Sequence, residues 1–128
     1  MKVLYIEPLK KPRLIDIPDD PDSMCSLVKG LIACIYPWDD EVGLVHNDNA
    51  IAQGLEPNRV VGRNIIFGPF FLAGLGEEDF TDIPENLVDK YSKLFAFPEL
   101  FLPCPDGSLS AYRLVTLQES EQVWKQIL

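Results

Sequence analysis

The sequence predicts an α+β fold, an antiparallel or mixed sheet packed on one face by two to three helices. Short apolar runs of strand length alternate irregularly with amphipathic stretches of helical period. Connections between the strand-like runs are hairpin-length, which disfavours a doubly wound sheet with long crossovers. Eleven prolines and eight glycines in 128 residues break the chain into many short elements. A hydrophobic fraction of 47%, with 10% aromatic residues, supplies a real core. The length fits a single domain over residues 1–128, with no internal repeat or linker.

Lys2 to Glu7 is apolar on both faces and reads as a central strand. Pro8 to Pro12 breaks it, and Arg13 to Ile17 resumes extended structure as a hairpin partner. The loop Pro18 to Asp22 feeds a helix capped by Asp22 or Ser23. Met24, Leu27, Val28 and Leu31 form its buried face, and Gly30 stops it. Leu31 to Tyr36 and Glu41 to His46 read as two strands paired across Pro37-Trp38-Asp39-Asp40. Asn47-Asp48-Asn49 is a turn. Ala50 to Arg63 is irregular, with room for a helical turn.

Asn64 to Ala73 is the strongest strand. Gly68-Pro69 in its middle marks an edge, a bulge, or a break between two strands, because proline donates nothing to a ladder. Pro84 to Phe95 is the most secure helix, with Leu87, Val88, Tyr91, Leu94 and Phe95 on one face and Asp82 and Glu85 near its N-terminus. Leu102 to Gly107 is a turn-rich connection, and Ala111 to Val115 one more strand. Thr116 to Glu119 forms a capping box, followed by an apolar stripe of Leu117, Trp124, Ile127 and Leu128.

Charge excludes several functions. Twenty acids against eleven bases give a net charge of −9. Five acids and no base lie between Lys29 and Arg59, and six acids and no base between Arg63 and Lys90. A nucleic-acid binder needs a dense positive patch to meet phosphates, and the one basic cluster is Lys10-Lys11-Pro12-Arg13. No direct nucleic-acid binding is expected. The longest nearly apolar stretch, Ile65 to Gly76, is shorter than the roughly 18–20 residues that span a bilayer, and no signal peptide precedes Glu7-Pro8. The expected location is therefore cytoplasmic, without membrane contact. Three cysteines with no C-x-x-C read as reduced thiols rather than a disulfide framework or a zinc site.

Few residues carry chemistry. His46, the only histidine, closes a strand without an evident partner beyond the adjacent Asp48. No serine lies in G-x-S-x-G, and no Walker A or dinucleotide fingerprint occurs. The acidic loop Gly74 to Asp82 lacks the alternating ligands of an EF-hand. No metal and no cofactor are expected. Asn58-Arg59 is the most informative polar pair: in a base-poor half of the chain the arginine either anchors an anionic ligand or ties its own loop to the fold.

Gly54-Leu55-x-Pro57-Asn58-Arg59, then Ile65-Ile66-Phe67-Gly68-x-Phe70-Phe71 and the Tyr91 helix, follow a diffuse Lys-Val-Leu-x-Ile-Glu-Pro opening. This order resembles a family of small proteins catalogued as domain of unknown function 3846, encoded largely in bacterial genomes, phages and mobile elements. The likeness covers roughly Met1 to Phe101, leaving a divergent strand and helix over 102–128. Relatives usually look like Gly-Thr-Phe-Phe where this chain has Gly68-Pro69-Phe70-Phe71: if that hydroxyl serves a ligand this member has lost it, and if it only pairs in the sheet Pro69 moves the strand to an edge. The resemblance implies no activity, cofactor or catalytic residue.

The expected function is that of a non-enzymatic, acidic accessory protein acting on a protein partner, with Asp39, Asp40, Glu77, Glu78 and Asp79 as its surface. A DNA mimic would need carboxylates arrayed on one face, whereas these acids cluster in loops. The alternative is a small-ligand module for an anion or nucleotide, with Asn58 and Arg59 beside an aromatic wall of Phe67, Phe70 and Phe71. An enzyme has less support, because the usual acids, bases and nucleophiles do not assemble. A homodimer through a Pro69 edge strand or a C-terminal helix with Trp124 is also open.

Overall fold

Residues 1–114 are described in the computed structural model, as ten strands and two helices. In chain order these are β1 (Lys2–Ile6), β2 (Arg13–Asp16), α1 (Pro21–Val28), β3 (Ile32–Ile35), β4 (Val42–Asn47) and β5 (Pro57–Val61). There follow β6 (Asn64–Phe67), β7 (Phe70–Leu75), β8 (Phe80–Thr81), α2 (Glu85–Leu94), β9 (Glu99–Pro103) and β10 (Leu109–Arg113). The main sheet runs β2-β1-β7-β4-β3, with β8 extending the β1 side of β7. Every pairing is antiparallel. Two hairpins, β5-β6 and β9-β10, stand apart from it.

Alternation along the three inner strands explains the architecture. Leu4 and Ile6 of β1, Val42 and Leu44 of β4, and Phe70 and Leu72 of β7 point to one face. There they meet Tyr91 and Phe95 from the α2 end, and Val61 and Ile66 of the β5-β6 hairpin. Val3, Tyr5, Val45, Phe71 and Ala73 point the other way and meet Met24 and Val28 of α1. The Tyr5 hydroxyl also donates to the Leu27 carbonyl at 2.9 Å, tying that helix to the sheet. Fully burying each such side chain is worth about 1.5–3 kcal/mol, so neither face tolerates solvent.

These contacts overturn the α+β expectation of helices packed on one face. The described chain is mainly β, 40% strand against 16% helix, with a single helix on each face of the sheet. Strands apolar on both faces demand two covers, and the β5-β6 hairpin supplies part of one of them.

Local differences have local causes. Pro69 lies in a break between β6 and β7, where Gly68 adopts φ 79°, and β7 is an inner strand rather than an edge. Asp20, not Asp22 or Ser23, caps α1, accepting from Ser23 N at 2.7 Å. The helix ends at Val28 with Lys29 in the left-handed conformation, so Leu31 leaves the buried face and is 75% exposed. The segment Ala50 to Arg63 holds a helical turn, in which Gln53 N donates to the Asn49 carbonyl, and then β5. β9 follows the predicted helix and takes the first two residues of the predicted connection, and β10 lies two residues earlier than expected. The capping box and apolar stripe from Thr116 onward fall outside the described residues.

Candidate functional site

Asn58 and Arg59 are both 0% exposed. Asn58 sits on β5 facing the sheet, and its Nδ2 donates to the Ile6 carbonyl and the Gly68 carbonyl, each at 2.9 Å. It thereby holds the end of β1 against the β6–β7 break. Its Oδ1 accepts from Arg59 Nη1 at 2.8 Å. Arg59 Nη2 donates to the carbonyls of Lys10, at 2.6 Å, and Phe95, at 3.2 Å. One side-chain pair therefore joins the β1–β2 loop, the β5–β6 hairpin, the strand break and the end of α2.

The guanidinium is a buried cation served by oxygen dipoles rather than by a carboxylate. No acid lies within ion-pair distance of it among the described residues, and its Nε has no hydrogen-bond partner. Burial pulls its pKa down to about 10, with Glu99 opposing and Arg113 adding to that shift, so it stays charged at neutral pH. Glu99 accepts from Val60 N at 3.3 Å, and burial pushes its carboxyl upward. In this conformation Arg59 presents no donor to solvent.

The predicted aromatic wall does not assemble. Phe70 and Phe71 lie in the cores of opposite sheet faces, Phe70 meeting Phe95 edge-on at 5.5 Å between ring centres. Phe67 instead lines a shallow cleft of about 220 Å³ with His46, Asn49, Ile51 and Ile65. His46 Nδ1 lies 3.0 Å from the Asn47 carbonyl. A larger cleft of about 360 Å³, between Leu14, Ile83 and Val88, contains none of the predicted site residues. No group of three or more metal-ligating side chains converges among the described residues.

The acidic residues do come together. Val42 pairs with Gly74, placing the start of β4 beside the end of β7. Leu75 N donates to the Glu41 carbonyl at 3.2 Å, so the loop carrying Asp39, Asp40 and Glu41 adjoins the loop carrying Glu77, Glu78 and Asp79. All of these except Asp40 are exposed. The opposite end of the sheet, at the end of β1 and the start of β3, is mixed, with Lys10, Lys11 and Lys29 beside Glu7, Asp48 and Glu56. The acidic surplus thus lies at one end of the strands.

Asp40 has a different task. Its Oδ2 accepts from Tyr91 Oη and from Lys90 Nζ, both at 2.6 Å, and these bonds hold its carboxyl below the usual range. Burial, then Asp40, push the Tyr91 hydroxyl upward. Trp38 packs on Tyr91 with ring centres 4.6 Å apart. The period of α2 marks Tyr91 as buried, but nothing in the sequence pairs it with an acid 51 positions away.

No helix among the described residues is long and apolar enough to cross a membrane. No curated protein and no solved structure matches the chain. The family model described as Domain of unknown function (DUF3846) matches residues 1–96, from β1 through α2 and the Asn58–Arg59 clamp between them, and the chain belongs to that family.

Proposed function

We propose that this chain acts by binding another protein, presenting its acidic end to a basic surface of that partner. The observation that carries this reading is the convergence of two acidic loops, distant in sequence, on one end of the sheet. Asp39, Glu41, Glu77, Glu78 and Asp79 are all exposed there, whereas Asn58 and Arg59 are buried in the fold's own hydrogen bonds. A field of one sign steers a partner of the other sign and accelerates its encounter. Direct binding to nucleic-acid phosphates would meet repulsion at this surface.

Cross-linking mass spectrometry in host lysate tests the reading. Wild-type chain should cross-link to a partner through the two loops. A variant with Asp39→Asn, Glu77→Gln, Glu78→Gln and Asp79→Asn should lose that partner. A control neutralising Asp19, Asp22, Asp48 and Glu56 should keep it. Identical partners for the acid-end variant and the wild type would overturn the proposal.

A further inference from the structure

We infer that the outer edge of β3, open among the described residues, is the interface for a second copy of this chain, joined by antiparallel β3–β3 pairing across a twofold axis near Cys34. Leu31 to Tyr36 contains no charge and no proline, and it ends the sheet. Leu31 and Tyr36, at its two ends, are 75% and 63% exposed. Natural edge strands are usually blunted by lysine, proline or a bulge, and among the described residues nothing pairs with the side of β3 away from β4. The other edge, β2, is guarded by exposed Arg13 and Asp16.

Hydrogen-bond polarity shows which groups are free. Asp48 N donates to the Leu31 carbonyl, and Leu75 N to the Glu41 carbonyl. Antiparallel ladders alternate, so Leu31, Ala33 and Ile35 turn their backbone groups to β4. Ile32, Cys34 and Tyr36 then turn theirs outward. A twofold axis at Cys34 sets Cys34 opposite Cys34 and Ile32 opposite Tyr36 of the other copy, each an outward-facing pair.

Charge selects a second copy as the occupant. Two chains of net charge −9 repel in most orientations. Lys29 and Asp39 each lie five residues from Cys34, on opposite sides, and both are exposed without an ion pair among the described residues. Antiparallel pairing brings Lys29 of each copy to the Asp39 end of the other. It also sets each acidic end beside the lysine-bearing end of its neighbour. The interface is therefore uncharged along the strand and sets Lys29 against Asp39 at both tips, with Asp48 beside Leu31 at the Lys29 tip.

Analytical ultracentrifugation of the full chain, with amide exchange at Ile32, Cys34 and Tyr36, tests the inference. The expected result is a species of twice the 14.4 kDa chain mass with those amides protected. Cys34→Pro removes an outward donor while leaving the β4 ladder intact, and should give a folded monomer. Lys29→Glu alone and Asp39→Lys alone should each raise the dimer Kd about tenfold, since two symmetric pairs turn repulsive. The double variant should restore it, a pattern that misfolding cannot produce. A monomer with exposed edge amides would overturn the inference. So would a monomer with protected edge amides. A dimer indifferent to all three single substitutions would place the interface elsewhere.

Discussion

Arg59 donates to the carbonyl oxygen of Phe95 at 3.2 Å, so a cation rooted on β5 closes the C-terminal end of α2. The last carbonyls of a helix lack intrahelical donors, and the dipole there favours positive charge. The same guanidinium reaches the Lys10 carbonyl on the β1–β2 loop. Its burial without a carboxylate partner is tolerable because four hydrogen bonds reach it from three segments.

Arg59→Ala would leave the Lys10 and Phe95 carbonyls and Asn58 Oδ1 without their donor and open a cavity, for an expected loss of about 3–5 kcal/mol. Asn58→Ala should cost about 2–4 kcal/mol, because the Ile6 and Gly68 carbonyls lose their partner. The two are coupled, so urea unfolding of the double variant should show a loss smaller than the sum, by at least about 0.5 kcal/mol. Strict additivity would mean that the clamp does not act as a unit. Arg59→Lys should not rescue, since one ammonium cannot span both carbonyls.

Stability should fall at both pH extremes through Asp40 and Tyr91. Asp40 has a folded pKa below its unfolded value of 3.8, so its contribution is present above that pH and disappears as pH drops through the folded value. Tyr91 has a folded pKa above its unfolded value of 10.0, so its contribution is complete below pH 10 and declines as pH rises beyond it. Asp40→Asn should flatten the acid limb of a melting-temperature profile, and Tyr91→Phe the alkaline limb. Unchanged profiles in both variants would remove the network from the account of stability.

Gly74 faces the β8 side so closely that a Cβ there would collide with the Asp82 carbonyl. Gly74→Ala should therefore cost about 1–3 kcal/mol and detach β8 before the rest of the sheet melts. Amide exchange at Ile83, whose N–H donates to the Lys2 carbonyl at 2.9 Å, reports that detachment. Protection equal to wild type would show that the backbone accommodates the methyl.

The acidic end repels itself. Replacing Glu77, Glu78 and Asp79 by Gln, Gln and Asn should raise the melting temperature at low salt. The gain should shrink as ionic strength passes roughly 0.1 M, where the Debye length falls to about 10 Å. A salt-independent gain would point to loop conformation rather than charge.

Legibility followed the physics of each segment. The 3.6-residue period of Leu87, Val88, Tyr91 and Phe95 located α2, and the two-sided apolar run Val3 to Ile6 located a strand with both faces covered. β5 escaped because it starts at Pro57 and buries Asn58 and Arg59, a polar pattern that reads as loop. β9 escaped because it ends in Pro103 and has no fully buried residue. Asn58-Arg59 stood out in the sequence, but its neighbours at Ile6, Lys10, Gly68 and Phe95 are tertiary.

The sequence by itself determined the acidic balance, the positions of most strands and both helices, and membership of the family, because these rest on local periodicity and residue order. Only the tertiary structure decided which face each helix covers, that Pro69 precedes an inner strand, and that two acidic loops share one end. Those depend on strand order and register. Pairing between distant segments sets strand order, and alternation and turn geometry fix register only once the partner strands are chosen.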